Sequence, residues 1–485
     1  MSNEAQSPAF VRQTMLPAQP PPSRASGVVL WLRTNLFSGP LNIALTLLGL
    51  AIVWLVLRTV LPWLSHSVWN ATSMADCRKI IAETWGPDAS GACFAIIKHR
   101  WNQFVFGFYP QELYWRPLLA FGLLFLALAP VLFADMNSTR PRRIVLGLAV
   151  GLTLIFSAML GTGAAIVLAM AVLMLAWAAL IEARPGKALL ASLLYPFLAV
   201  WLLWGGTLWH PLMVLAGFGI GYAVWRATSE RIGLLAVAAG AVAAALWWLF
   251  ATAPVTDALA GVLPLALTPV PSNLFGGFVL SITIGVAGIA LSLPLGIILA
   301  LARRSDLPLI KMMAVMFIEF IRGVPLITLL FVASLLLNYF LPPGTNFDII
   351  LRVIIMVTLF SSAYMAEVIR GGLAALPKGQ YEAADALGLD YWKAQRLIIL
   401  PQALKVSIPG IVSTFIGMFK DTTLVVFVGL FDPLKAMSDT VRASFEWKGA
   451  YWEPYIFVGS IFFILCFSMS RYSMYLERRL KRDHR

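Results

Sequence analysis

Stretches of about twenty apolar residues, bounded by charges or by Pro and Gly, recur along this chain and constrain its fold more than any other feature. A hydrocarbon core about 30 Å thick is crossed by about 20 residues of α-helix rising 1.5 Å each. Within it the backbone can satisfy its polar groups only internally. Twelve stretches meet the requirement, near 41–63, 117–134, 144–161, 164–182, 188–206, 211–225, 232–251, 275–302, 322–341, 348–369, 406–430 and 454–472. The sixth is short and carries Gly217, Gly219 and Gly221 as candidate breaks. Composition agrees: 60% of residues are hydrophobic and 12% charged, against about 45–50% and about 25% in soluble domains. A water-soluble enzyme is excluded, and the expected class is an all-α integral membrane protein.

The formal charge of +13 is informative through its distribution, because Lys and Arg accumulate in cytoplasmic loops. With the N-terminus inside, twelve spans place inside Arg12, Arg24 and Arg33, the Arg140/Arg142/Arg143 loop, Arg184/Lys187, Arg226/Arg231, Arg303/Arg304/Lys311, residues 370–405 and the tail from Arg471 to Arg485. Loops 252–274 and 342–347 fall outside and hold no basic residue. Deleting the sixth span would put the basic loops before and after it on opposite sides, so it is retained. Residues 1–40 are polar and Pro-rich, without the basic-apolar-small order of a cleavable signal. They are expected to form an unstructured cytoplasmic tail, with 473–485 as a second, basic one.

The outside loop 64–116 carries Cys77 and Cys93, while Cys466 lies in the last span. Outside the cytosol such a pair can join, which would stabilise the loop by about 3 kcal/mol. Two free thiols are the alternative. A metal site is disfavoured because His66 and His99 lack zinc-like spacing with the cysteines, and the four histidines, His66, His99, His210 and His484, are too scattered for nucleophile-base chemistry.

Charge divides the chain. The first seven spans, within 41–251, contain almost none and read as an anchor or docking surface, with 252–274 as an outside linker. Residues 275–472 carry Glu319, Arg322, Arg352, Glu367, Arg370, Lys420 and Asp421 in or beside spans, where charge is costly and function is the first hypothesis. Between the tenth and eleventh spans, in segment 373–404, Pro377 to Lys393 reads as two short helices. Gly379 opens the first, Gly388 ends it in a left-handed conformation, and Asp390 caps the second. The small Ala383 and Ala384 would admit a close partner, and Tyr381 and Leu387 would supply apolar area. An interfacial amphipathic loop is the plainer alternative.

The order Glu382-Ala383-Ala384, three residues, Gly388, nine residues, Ile398, one residue, Leu400-Pro401 resembles the cytoplasmic signature of permease subunits of bacterial ATP-binding-cassette importers. Seven fixed positions in twenty residues make chance agreement improbable. The resemblance implies a five-helix permease core preceded by a seven-helix extension. It also implies a coupling helix that docks on an ATPase, with Tyr381, Glu382, Ala383, Ala384, Leu387 and Gly388 as the docking element. Phe320-Ile-Arg322-Gly323-Val-Pro325, Ala366-Glu367-Val-Ile-Arg370-Gly371-Gly372 and Phe419-Lys420-Asp421-Thr422-Thr423 resemble the polar amino acid permeases. Gly91-Ala-Cys93 and Trp115-Arg116-Pro117 are similar to the longer permease of general L-amino acid or glutamate/glutamine/aspartate importers. The implied partners are an ATPase dimer, a second permease forming a heterodimer, a periplasmic amino-acid-binding protein and membrane lipid, with no role for nucleic acid. A motor needs Gly-x-x-x-x-Gly-Lys-Ser/Thr. Gly186-Lys187 is followed by Ala188 and lacks the earlier Gly, so ATP and Mg belong on the partner chain and no cofactor is expected on this one.

Glu319 and Glu367 each precede an arginine, Arg322 and Arg370, by three residues, which makes them helical neighbours. They read either as structural ion pairs near the interface or as an inner gate whose pairs exchange. Lys420 and Asp421 are consecutive and cannot satisfy one another. They lie roughly 22 Å up their span by helical rise. There Asp421-Thr422-Thr423 would cap a second half-helix, and with Lys420 would suit an amino acid's two charges, or else pair between helices. Arg352, near the outer end of its span, would attract acidic substrates or snorkel. The competing class, an ion-coupled secondary transporter, should show matched halves with repeated breaks, and these halves are unmatched.

Overall fold

The computed structural model describes residues 27–132, 139–183, 189–233, 235–336 and 348–482. The tail before Gly27, the Arg184/Lys187 loop and the 342–347 loop lie outside the described residues. The chain forms two compact units, Met1–Ala95 and Ile96–Arg485.

In the first unit α1 (Val28–Asn35) and α2 (Pro40–Ser65) precede α3 (Met74–Trp85). The helix at Val28–Asn35 corrects the expectation of an unstructured tail through residue 40; its sequence, Val-Val-Leu-Trp-Leu, is apolar rather than Pro-rich. None of α2 is buried, and its exposed surface is predominantly apolar, as suits a helix in contact with lipid. Ser73 caps α3 by accepting from the Asp76 backbone N–H at 3.1 Å. Cys77 and Cys93, both fully buried, form a disulfide across a Cα–Cα distance of 5.9 Å.

The second unit begins with α4 (Ala95–Phe106), followed by α5 (Trp115–Leu132), α6 (Thr139–Met159), α7 (Ala164–Ala183), α8 (Leu189–Trp204), α9 (Trp209–Ile232), α10 (Leu235–Leu246) and α11 (Thr252–Val262). A two-residue antiparallel ladder pairs β1 (Gly206–Thr207) with β2 (Ala266–Leu267). The helix α9 is continuous through its three glycines, and the Trp248 indole, lying against Gly217, donates to the Val214 carbonyl at 3.0 Å. The seventh stretch extends to Val262 through a π-helical turn at Trp247–Ala251, so the first 11 residues of the expected 252–274 linker are helical.

Then come α12 (Gly277–Arg303), α13 (Pro308–Gly323), α14 (Leu326–Phe331), α15 (Ile349–Ala374), α16 (Lys378–Ala386), α17 (Tyr391–Ala394), α18 (Leu400–Asp421), α19 (Pro433–Ala443) and α20 (Trp452–Arg482). Among the described residues eight helices are long and apolar enough to span a membrane, or nine with α13 and α14 taken together. The apolar helices Arg143–Met159 and Leu189–Trp204 are shorter. The ninth stretch is corrected: instead of a straight span from 322, α13 and α14 meet at a bend of 102°. Pro325 removes a backbone donor and disfavours a helical residue before it, and Val324 is extended at φ −110° and ψ 132°. The last helix runs on to Arg482 instead of ending at 472.

At the centre of this unit α15 packs between α12 and α18. Close approach rests on absent side chains: a Cβ on Gly296 would strike Met365, and one on Gly372 would strike Ser407 and the Ala403 carbonyl. Such small-residue contacts replace the hydrophobic driving force that lipid removes. Asp432 caps α19, accepting from Leu434 N at 3.0 Å and Lys435 N at 3.2 Å. Its carboxyl is fully buried, and burial pushes its pKa up to about 6 against the opposing pull of those two amides.

Candidate functional site

The segment after α15 is built from local signals. Pro377 starts α16. At its end Leu389 N donates to Ala384 O at 3.2 Å and Gly388 N to Asp385 O at 2.9 Å. This paired closure is the Schellman pattern, and it requires a left-handed residue, here Gly388 at φ +66°. Asp390 then caps α17, accepting from Lys393 N at 2.9 Å, and the Lys393 side chain and amide hold its carboxyl below the usual range.

Helical periodicity sorts the α16 residues. Glu382, Ala383, Ala386 and Leu387 are exposed, with Leu387 at 73%. Ala384 is buried at 1% exposure, and Tyr381 packs on the core beneath. Of the expected docking set these two face inward, because positions 381 and 384, three apart, share one side of the helix. The Tyr381 hydroxyl accepts from Arg304 Nη1 at 3.0 Å, and the Arg304 guanidinium lies 5.5 Å from its ring centroid.

The preceding residue, Arg303, enters a different network. Its Nη1 donates to Glu319 Oε1 at 2.9 Å and lies 2.8 Å from Glu367 Oε1, the latter a charge contact out of line for a hydrogen bond. Glu367 Oε2 accepts from Arg370 Nε at 3.0 Å and has Arg322 Nη1 at 3.8 Å. Arg322 also lies 4.0 Å from Glu319. The two Glu-Arg pairs read from the sequence are thus one cluster, with Glu367 as its least exposed member at 17% of its side chain. Arg303, unforeseen, joins them from 16 residues away. No local pattern announces it; only the shared ending of α12, α13 and α15 at one end of the bundle does.

At the other end of α18, Thr422 and Thr423 turn their hydroxyls back to Phe419 O at 2.7 Å and Lys420 O at 2.9 Å. Asp421 makes no capping bond to the 3₁₀ turn Thr422–Val428. The expected cap is therefore absent, because the chain continues helically through Asp421 at φ −67° and ψ −12°. Lys420 is exposed, Asp421 and Thr423 are half-buried, and Thr422 is buried. Arg352 does not snorkel: it is 8% exposed and donates to the Ser334 carbonyl at 2.9 Å, serving a backbone acceptor loosened by the π-helical stretch Val332–Leu336. An apolar cavity of about 460 Å³ between α5, α8 and α12 contains none of these residues. Its Ser192 and Tyr195 hydroxyls are already bonded to Ala127 O and Ala120 O, so it presents no polar route. Among the described residues no His/Cys/Asp/Glu cluster could hold a metal.

A family model described as the binding-protein-dependent transport system inner membrane component matches residues 292–482. The glutamate/glutamine/aspartate/asparagine transport system permease protein BztC of Rhodobacter capsulatus is 58% identical over 479 residues, covering 98% of this chain and 99% of its own. The chain belongs to the amino-acid permeases of ATP-binding-cassette transporters. The inner membrane amino-acid ABC transporter permease protein YhdY of Escherichia coli is 36% identical over 465 residues, 96% of each chain. By contrast the probable glutamine ABC transporter permease protein GlnP of Bacillus subtilis, 32% identical, aligns 93% of its length with 42% of this permease. The family match at 292–482 contains the whole ion-pair cluster and the whole of α16, so both lie in the part of this permease that matches the family.

Proposed function

We propose that this chain is one permease subunit of an ATP-driven importer of polar L-amino acids in a bacterial inner membrane. Both termini, α16 and the Arg303/Glu367 cluster face the cytoplasm. The observation that carries the reading is the outward face of α16, Glu382, Ala383 and Leu387, fixed by the Gly388 turn and tied to α12 through Tyr381 and Arg304. A separate ATPase dimer docks there, and its closure moves the helix ends that meet in the ion-pair cluster, giving alternating access. A second permease completes the pore and a periplasmic binding protein delivers the substrate. Lys420, Asp421, Thr422 and Thr423 line the path, the exposed Lys420 and half-buried Asp421 offering opposite charges to the two ends of an amino acid. The substrate class follows the relatives, one of them a permease for glutamate, glutamine, aspartate and asparagine.

The test is reconstitution. The tagged chain, purified in mild detergent with whatever binds it, is placed in vesicles with ATP and with an ion gradient separately. ATP-dependent uptake that needs a co-purifying ATPase and binding protein supports the proposal. Uptake by the chain alone on an ion gradient without ATP refutes it.

A further inference from the structure

The apolar cavity of about 460 Å³ between α5, α8 and α12 takes no part in the function proposed above. It arises where small residues meet: Ala120 and Ala127 of α5, Ala199 of α8, and Ala287 and Ala290 of α12 all line it. The hydroxyls of its wall are turned away from it. Ser192 and Tyr195 are bonded to the Ala127 and Ala120 carbonyls, and Thr283 donates to Val279 O at 2.7 Å. Water gains nothing in such a space, which stays dry. Protein interiors hold few voids larger than a water molecule, so the space calls for hydrocarbon.

Its place in the bilayer says which hydrocarbon. The wall follows α12 from Phe278 to Leu291 and α5 from Pro117 to Leu128, about 20 Å by helical rise. That is one leaflet with its interface, half of a bilayer about 40–45 Å thick. The wall ends midway along α12, whose last residue is Arg303. Trp101 and Trp204 stand where α8 finishes and α5 begins, and indoles gather at membrane interfaces. Phe156, Val200 and Leu291 line the cavity and are themselves exposed, which opens its side toward lipid. A helix of a second permease is about 10–12 Å across and would cross both leaflets, so it does not fit a trough of half depth. An extended chain does: 460 Å³ is about fifteen units of ~30 Å³, and one acyl chain carries about that many methylenes. We infer that this cavity holds one acyl chain of a membrane phospholipid, inserted from the side, with its headgroup at the level of Trp101 and Trp204. The chain is a wedge that keeps α5 and α8 on α12. That the leaflet is the outer one follows from the orientation proposed above; the cavity does not depend on it.

The test counts lipid on the purified permease complex by native mass spectrometry after prolonged washing in mild detergent, then offers back palmitoyl-oleoyl phosphatidylethanolamine and phosphatidylglycerol. One tightly held phospholipid per chain is the expected result. Ala287→Phe fills the cavity from α12 and Val200→Trp narrows its mouth from α8, so each should weaken retention about tenfold or more. Ile298→Phe, on α12 at an exposed position away from the cavity, should leave retention unchanged. Stripping with a harsher detergent should raise hydrogen exchange in α5 and α8 of the unaltered chain, and either phospholipid should restore protection; Ala287→Phe should stay protected without it. No retained phospholipid, or retention equal in all variants, overturns the inference. A detergent tail that no phospholipid replaces overturns it too, as does a photocrosslinking residue in place of Val200 that captures a second permease rather than lipid. Should one filled variant fail to fold, the other, with the stripping and restoration of the unaltered chain, still decides.

Discussion

Replacing Glu367 with Gln keeps the shape of the side chain and removes the charge that three arginines share. The cluster holds Arg303, Arg322 and Arg370 against Glu319 and Glu367, a formal balance of +1 that becomes +2. A unit pair at about 3 Å interacts by roughly 5 kcal/mol at an effective dielectric of about 20, before desolvation and screening are subtracted. Exposed pairs retain about 1 kcal/mol or less of this, and breaking a buried pair costs about 3–5 kcal/mol. Glu367 is 17% exposed, Arg303 22% and Arg370 42%, so the expected loss is about 2–4 kcal/mol. Glu319→Gln makes the same charge change at a side chain 54% exposed and should cost about 1 kcal/mol or less. Denaturant unfolding of the detergent-solubilised protein, followed by tryptophan fluorescence, ranks the two. The double variant Arg303→Gln/Glu367→Gln should cost less than the sum of its singles by about 1–2 kcal/mol. Equal losses for the two Glu variants, or strict additivity in the double, would show that the cluster is a set of independent surface contacts.

Further outcomes are expected elsewhere in the chain. Glu382→Lys with Gly388→Asp should leave insertion intact and uncouple uptake from ATP; normal uptake rates in vesicles would refute the docking role of α16. Gly372→Val forces a branched side chain against Ser407 and the Ala403 carbonyl and should destabilise by about 2–3 kcal/mol, visible as a lowered unfolding midpoint, while Gly371→Ala, with open space around it, should not. Removing the Cys77–Cys93 link, which spans 16 residues, should cost the first unit about 3 kcal/mol, read by hydrogen exchange over 68–95. Asp432 binds its proton more tightly folded, at about 6, than unfolded. Its contribution is therefore most favourable below the unfolded value near 3.8 and is lost as pH rises from there through about 6, by about 3 kcal/mol in all; protection of α19 should fall between about pH 4 and 6.5, and Asp432→Asn should flatten that dependence.

The spans and the α16 turn were legible because their causes are local. Apolar length, the left-handed Gly388 and the cap at Asp390 each act within a few residues. The bend before α14 was also written locally, in Gly323-Val324-Pro325, but apolarity outweighed it when the stretch was read as one rod. What escaped is tertiary. Arg303 reaches Glu367 across 64 positions of sequence, and Arg352 finds a carbonyl on another helix. The inward turn of Tyr381 and Ala384 depends on which side of α16 meets the bundle.

Arg303 and Arg304 are neighbours in sequence, yet one serves the ion-pair cluster and the other the Tyr381 anchor. Arg303 is the last residue of α12 and Arg304 is its C-cap, at φ −95° and ψ 1°, where the chain leaves the helix and the two side chains part. The last turn of α12 therefore works as a crank with two pins. A twist of that turn imposed through Tyr381 would sweep the Arg303 guanidinium sideways across Glu319 and Glu367 with little backlash, since one peptide bond separates the pins. Inserting one alanine between them would break their adjacency at the helix end while deleting neither charge, separating a protein that needs the two arginines from one that needs them side by side.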